Sequence, residues 1–348
     1  MPLYRKIFAG VVLLTSFPLL AQTTPPPDIS GVYMVGHHVA DLDLAIRYYD
    51  TIDFDLVDGP TDWQVDEALN QLGNTPGAQT RTAVMQVQSS VSDIPFTFVL
   101  RQYRNIWRQD WSKRNSWDLL GGHIDLTVDG SAADFLDTLD AAGLLVMPEV
   151  NGLPNPRQQA QAGFRRYAFV SDTDGYVIEI FGKPEPLPGE AAPVMVSNST
   201  ATPATMDRLG KQAGFNHVGL NIADAERGRK FYMQALGGDY AEIENPDSAQ
   251  IVQNGWFPQA MTMDNLRIEL LAFTANAGAA APNMRFQDIN ANHVGMQVTD
   301  IDTTYARALA NGATTVTPGG IMAYAGGRAV LIRDNDVGSY ILLWQPGD

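Results

Sequence analysis

His123, His217 and His293 each open a copy of one short pattern, and they make up three of the five histidines in the chain. The copies read His123-Ile-Asp-Leu-Thr-Val-Asp-Gly130, His217-Val-Gly-Leu-Asn-Ile-Ala-Asp224 and His293-Val-Gly-Met-Gln-Val-Thr-Asp300. A fourth, Met34-Val-Gly-His-His-Val-Ala-Asp41, carries methionine in the histidine slot. Histidine recurring at one position of a repeat fits core packing poorly and metal ligation well, because neutral imidazole is the commonest metal-binding side chain. Two acids also stand in unusual company. Glu179, in Tyr176-Val-Ile-Glu-Ile-Phe181, and Glu269, in Arg267-Ile-Glu-Leu-Leu271, each interrupt an apolar run. An unpaired carboxylate buried in such a strand costs several kcal/mol, so a nearby cation is the natural explanation. The alternative is an acid on an edge strand facing water.

The elements that must hold these residues follow from the same pattern. Each copy begins with an apolar strand and runs through a turn into an amphipathic helix. Side chains alternate faces along a strand, so His123, Asp125 and Thr127 share one face while Ile124, Leu126 and Val128 pack against the helix. The same rule puts His217 with Asn221 and His293 with Gln297. Asp41, Asp224 and Asp300 fall where strand gives way to helix and are expected to be helix N-caps, not catalysts. Copies one and three share a helix with paired aromatics, Tyr48-Tyr49 and Phe231-Tyr232. Copies two and four instead have helices ending in Ala-Ala-Gly143 and Ala-Asn-Gly312.

The chain therefore reads as a duplicated pair of modules. Residues 32–183 form one expected half and 213–348 the other, joined by a Pro- and Ser-rich connector at 184–212 that lacks either apolar period. Arg5 and Lys6 precede an apolar stretch from Ile7 to Leu20. A polar, proline-rich segment follows Ala21, so residues 1–21 are expected to be a secretory signal and 22–31 a linker. The apolar run is broken by Pro18 and is short for a bilayer span. On this reading the mature protein is periplasmic or secreted and is not held in a membrane. With 23 basic against 39 acidic residues the surface repels phosphate backbones, so no nucleic-acid partner is expected. The absence of cysteine excludes disulfides and lipid-modified cysteine.

The three His-Val/Ile openings, the Phe231-Tyr232 helix and Phe169-Val-Ser-Asp-Thr-Asp-Gly-Tyr-Val-Ile-Glu179 resemble the vicinal oxygen chelate superfamily, over nearly all of residues 32–346. That superfamily contains glyoxalase I, extradiol dioxygenases, epimerases and bleomycin-resistance proteins. The resemblance implies an α+β fold of four βαβββ modules forming two cups, with a metal held by the first and last strands of paired modules. By the same alignment Val99 occupies the acid slot of copy one and Leu342 that of copy four. Copy one thus lacks both ligands, and copy four keeps only His293.

Module pairing decides the ligand set. If copies two and three pair, His123, Glu179, His217 and Glu269 form a complete site, while Met34, Val99, His293 and Leu342 line a relic. If each half pairs within itself, the second cup offers His217, Glu269 and His293. The crossed pairing is favoured because it leaves no acid buried in an incomplete site and resembles single-chain glyoxalases. Two imidazoles and two carboxylates suit Zn, Ni, Mn or Fe(II) and leave about two positions open at six-coordination for a substrate with adjacent oxygens.

The resemblance implies a metal-dependent isomerase, epimerase or lyase on a small oxygenated substrate. The metal would act as a Lewis acid stabilising an enediolate, and Glu179 or Glu269 would serve as base. Glutathione-dependent glyoxalase I itself fits less well, since an exported enzyme lacks a cytosolic thiol pool. The alternatives are an Fe(II) extradiol ring-cleaving dioxygenase, against whose usual form Leu342 argues, and a non-catalytic ligand-sequestering protein. His37 and His38 are expected to be structural, with His38 facing the relic cup and His37 the helix layer. Tyr103, Trp107, Trp111 and Trp117 form an aromatic connector that serves either as core or as a wall over an apolar substrate.

Overall fold

The computed structural model describes residues 29–90, 94–115, 118–119, 121–145, 167–182, 213–236, 239–241, 256–263, 266–273, 283–334 and 338–347. The expected signal at 1–21 and connector at 184–212 lie outside them, as does Trp117.

Alternating apolar runs become strands, and each Asp-initiated or Ser-initiated periodic stretch becomes a helix. The first module comprises β1 (Ile29–Val39), α1 (Leu42–Thr51), β2 (Asp55–Asp58), α2 (Glu67–Leu72), β3 (Gln79–Val87) and β4 (Phe96–Arg104). The second has β5 (Gly122–Thr127), α3 (Ala132–Ala141), β6 (Tyr167–Ser171) and β7 (Val177–Phe181). The third has β8 (Gly214–Ile222), α4 (Ala225–Lys230) running on into a π-helical turn at Phe231–Ala235, β9 (Asp239–Ala241), β10 (Trp256–Met263) and β11 (Leu266–Phe273). The fourth has β12 (Asn292–Val298), α5 (Ile301–Ala310), β13 (Ala313–Thr315), β14 (Met322–Tyr324), β15 (Gly327–Asp334) and β16 (Tyr340–Pro346). The fold is the expected mixed α+β arrangement, mostly sheet with few helices. Pairing begins at Ile29, opposite Val298, so residues 29–31 are strand and not the linker read from the sequence.

Asp41, Asp224 and Asp300 are N-caps, each accepting from backbone N–H groups of the first helical turn. α3 starts instead with a capping box made by Ser131 and Asp134. The helices bury the faces foreseen for them, with Tyr48 and Tyr49 of α1 and Phe231 and Tyr232 of the third module all shielded from solvent.

Two sheets result. One runs β13-β15-β16-β12-β1-β4-β3-β2, with β14 paired to β15; the other runs β6-β7-β5-β8-β11-β10-β9. Modules one and four therefore share a sheet through the antiparallel β1–β12 pair, and modules two and three through β5–β8. Each half of the sequence contributes one module to each sheet. The register is the same in all four modules. The residue two places after the histidine slot lies beside the acid slot of the last strand: Gly36 beside Val99, Asp125 beside Glu179, Gly219 beside Glu269 and Gly295 beside Leu342. The backbone thus places Val99 and Leu342 where the sequence alignment put them.

The sheets are tied across their helical faces by aromatic packing and a few buried polar contacts. Phe96 of β4 stacks on Phe215 of β8 with ring centroids 3.5 Å apart. Tyr49 donates to Asp172 Oδ2 at 2.8 Å, and Arg307 of α5 donates to the carbonyl of Ala235 at 2.8 Å. Phe215 is fully buried at this junction, so Phe215→Ala should lower stability by about 3–5 kcal/mol, read as a shift in the denaturant midpoint.

Candidate metal centre

His123 on β5, Glu179 on β7, His217 on β8 and Glu269 on β11 converge on the concave face of the sheet shared by modules two and three. Their donor atoms all lie within 4.8 Å of one another. His123 Nε2 is 3.1 Å from Glu179 Oε2 and 3.4 Å from Glu269 Oε2. His217 Nε2 is 3.6 Å from Glu179 Oε2 and 3.3 Å from Glu269 Oε2. The two Nε2 atoms stand 3.1 Å apart. Bonds of about 2.1 Å place neighbouring ligands about 3.0 Å apart in an octahedron and about 3.4 Å apart in a tetrahedron; four of these five distances fall in that range and the fifth, His217 to Glu179 at 3.6 Å, lies just beyond it. The chemistry fits as well, since two imidazoles and two carboxylates form a neutralising set for a divalent ion.

A glycine makes this convergence possible. His123 pairs across the sheet with Gly219, and a Cβ at that position would overlap the imidazole ring. The reciprocal position, opposite His217, is Asp125. Its carboxylate is buried, both oxygens lack a hydrogen-bond partner, and Oδ1 is 3.7 Å from His217 Nδ1. Asn216 Oδ1 lies 3.1 Å from the same nitrogen. Asp125 was not picked out as a site residue, although the repeat carries a signal: it stands where the other three copies have glycine. A carboxylate beside the outer nitrogen of a ligating histidine orients the ring and makes it a better donor.

Burial and the carboxylates pull the two histidines in opposite directions. Burial would lower both, yet Glu179 and Glu269 hold His123 at about 10, and Asp125 with the two glutamates holds His217 at about 9. Burial would raise the glutamates, but the imidazoles depress both, Glu269 most strongly. Burial lifts Asp125 to about 8. Without metal, the imidazolium–carboxylate cluster is intact at neutral pH. It is lost as pH rises through about 9 to 10, and at the acidic end as the glutamates protonate.

His293 is not part of this group. It lies on β12 in the other sheet, over Gly36, among the positions of Met34, Val99 and Leu342, with Nε2 3.4 Å from Arg101 Nη1. The three-ligand set His217, Glu269 and His293 is therefore not assembled. His38 faces His293 and Tyr103 in that cup, and His37 stacks on Phe98 and Tyr176 in the helix layer. A second group of potential donors, His37, Asp172 and Asp174, joins the two sheets. Its atoms are largely engaged. His37 bonds Asn292 at 2.6 Å and pairs with Asp172 at 3.0 Å; Asp172 also accepts from Tyr49 and from the backbone of Asp174 and Tyr176; Asp174 accepts from Ala40 N. Of the aromatic connector, Tyr103 is buried, while Trp107 is 65% exposed and lies under the Arg285 guanidinium. Trp111 donates to Asp288. The segment acts as a strap between modules one and four.

Paired β-α-β modules sharing one sheet, with a His/Glu cluster that could hold a metal ion, define the fold and its candidate site. Residues 214–336 match the family model of the Glyoxalase/Bleomycin resistance protein/Dioxygenase superfamily. Glyoxalase I from Zea mays is similar in fold, with a TM-score of 0.53 and 15% identity over 90% of this chain and 92% of that one. A point mutant of the maize enzyme gives a TM-score of 0.51 at the same identity and coverage. No curated protein sequence matches the chain. The family match covers residues 214–336, and the likeness in fold to glyoxalase I covers nearly the whole chain.

Metal uptake must displace protons from the histidines, because only neutral imidazole ligates. Titration with Zn²⁺ in weakly buffered solution should release protons, and the apparent affinity should climb between pH 6 and pH 8, by up to about a hundredfold per unit while both rings are protonated. Affinity independent of pH would contradict the site. Gly219→Ala should displace the His123 ring and reduce bound metal, seen by elemental analysis.

Proposed function

We propose that the protein is a metal-dependent enzyme of the isomerase, epimerase or lyase type, acting on a small molecule with adjacent oxygens. The observation that carries this reading is the convergence of His123, Glu179, His217 and Glu269 from four strands onto one point of a single cup. A bound divalent ion would supply Lewis acidity, making a carbon acid beside a coordinated carbonyl easier to ionise.

The chain's own groups do the rest. The two imidazoles are fixed ligands, each braced by strand pairing, and Asp125 orients His217. The glutamates reach the same space from β7 and β11 on side chains with one more rotatable bond than histidine. One of them, moving off the cluster, would take the substrate proton at an Oε atom and return it to the neighbouring carbon or a leaving group. Glu269 is the more exposed of the two side chains, at 13% against 10% for Glu179, and is favoured as this base. The remaining glutamate keeps charge balance at the site. Low dielectric around the cluster strengthens each of these interactions.

Metal analysis of the purified chain tests the site. His123→Ala should lose bound metal and His293→Ala should retain it; the reverse pattern would remove the basis of the proposal. Activity is read from deuterium uptake at carbon in a panel of α-hydroxy carbonyl compounds. Glu269→Gln should keep most of its metal and lose exchange by about 10²–10⁴-fold, the range of general base catalysis. Metal-loaded protein that exchanges no compound in the panel would favour the ligand-sequestering alternative.

A further inference from the structure

The cup shared by modules one and four has lost its metal donors without becoming apolar. Arg101 lies on β4 two residues beyond Val99, on the same face, and is only 7% exposed. The corresponding residue of module three is Leu271. Among the described residues no carboxylate pairs with this guanidinium, and its one side-chain contact is with His293. Its Nε is buried and has no partner. Three more buried polar atoms on adjacent side chains share that condition: the Tyr103 hydroxyl, His38 Nε2 and His293 Nδ1. The His38 ring centroid is 5.0 Å from that of Tyr103 and 5.6 Å from that of His293, so the four groups form one cluster.

Hydrogen-bond logic assigns the protons. A guanidinium only donates, so His293 Nε2 accepts from Arg101 and Nδ1 carries the hydrogen. His38 Nδ1 faces the carbonyl oxygen of Phe286 and must donate, which leaves a lone pair on Nε2. The cluster therefore presents three donors, Arg101 Nε–H, Tyr103 O–H and His293 Nδ1–H, and one acceptor, His38 Nε2. Arginine stays charged whatever its surroundings, and a buried unpaired charge is strongly unfavourable, so the arrangement calls for an anion. Leu69, Leu72, Phe286, Leu331 and Leu342 pack as one apolar cluster, with the Phe286 ring against both His38 and His293, so the polar groups stand against apolar walls, which suits a small anion.

We propose that this cup binds a short hydroxy acid, its carboxylate held by Arg101, Tyr103 and His293 and its hydroxyl donating to His38. The guanidinium then stands where the other cup has its candidate metal centre. Nothing in this site depends on metal, so it stands or falls separately from the proposed reaction.

Ligand-observed NMR titration of the full chain with acetate and glycolate tests it, with chloride matching ionic strength. Both should bind, glycolate several-fold more tightly through its extra hydrogen bond. Arg101→Gln should weaken both by about tenfold or more, and Tyr103→Phe, which removes only a hydroxyl, should weaken them by a few-fold. His217→Ala, in the other cup, should leave acetate binding unchanged. No binding at tens of millimolar would overturn the proposal. So would binding that survives both Arg101→Gln and Tyr103→Phe, or that disappears in His217→Ala.

Discussion

Antiparallel pairing of β5 with β8 is the constraint on which the candidate metal centre depends. It sets His123 opposite Gly219 and His217 opposite Asp125, so that two imidazoles from modules 94 residues apart in sequence approach within hydrogen-bond distance. Each first strand is flanked by the parallel last strand of its own module, and that local crossover brings Glu179 and Glu269 alongside. Four donors thus come from four strands whose relative positions are fixed by continuous backbone hydrogen bonding. A one-residue slip of β5 against β8 would turn His123 to the helix face and break up the set.

The same backbone serves a different electrostatic purpose in the other sheet. β1 and β12 pair in equivalent register, and His293 rests over Gly36 as His123 rests over Gly219. Here Met34, Val99 and Leu342 offer nothing to a cation, and Arg101 introduces a fixed positive charge. Burial and that charge push His293 and His38 well below their ordinary values, so both rings are neutral. In one cup carboxylates draw protons or a metal ion onto histidine; in the other a guanidinium drives protons away. The two cups thus offer opposite electrostatics on one scaffold, through differences at a handful of strand positions.

Cohesion between the sheets relies on a buried polar seam as well as on aromatic packing. Burial works against a charged His37, but Asp172 outweighs it and keeps the imidazole above its ordinary value. Asp172 in turn is anchored by Tyr49 from module one and by the turn it initiates in module two. Such a pair contributes little net stability relative to apolar packing, but removing one partner would strand the other, which ties the relative placement of the sheets to specific residues. The Asp172-Thr-Asp-Gly175 turn therefore also positions one cup against the other.

Much of this was legible in the residues. Period-two runs located the strands, Asp41, Asp224 and Asp300 marked helix starts, and the recurrence of histidine picked out two members of the candidate metal cluster, because each of these signals is local and rests on side-chain chemistry or backbone periodicity. The identity of all four candidate ligands could be read from their slots in the repeat. Which modules meet could not, since either pairing satisfies the same local patterns and only the edge complementarity of β5 with β8 and β1 with β12 selects one. Asp125, Arg101 and the His37–Asp172 pair escaped for a related reason: a charged residue on a strand acquires its meaning from neighbours across the sheet, at distances along the chain that no local pattern spans. Sequence by itself determined the modules and their chemical inventory. Tertiary structure decided which side chains share a cavity, because strand pairing between distant segments sets those distances.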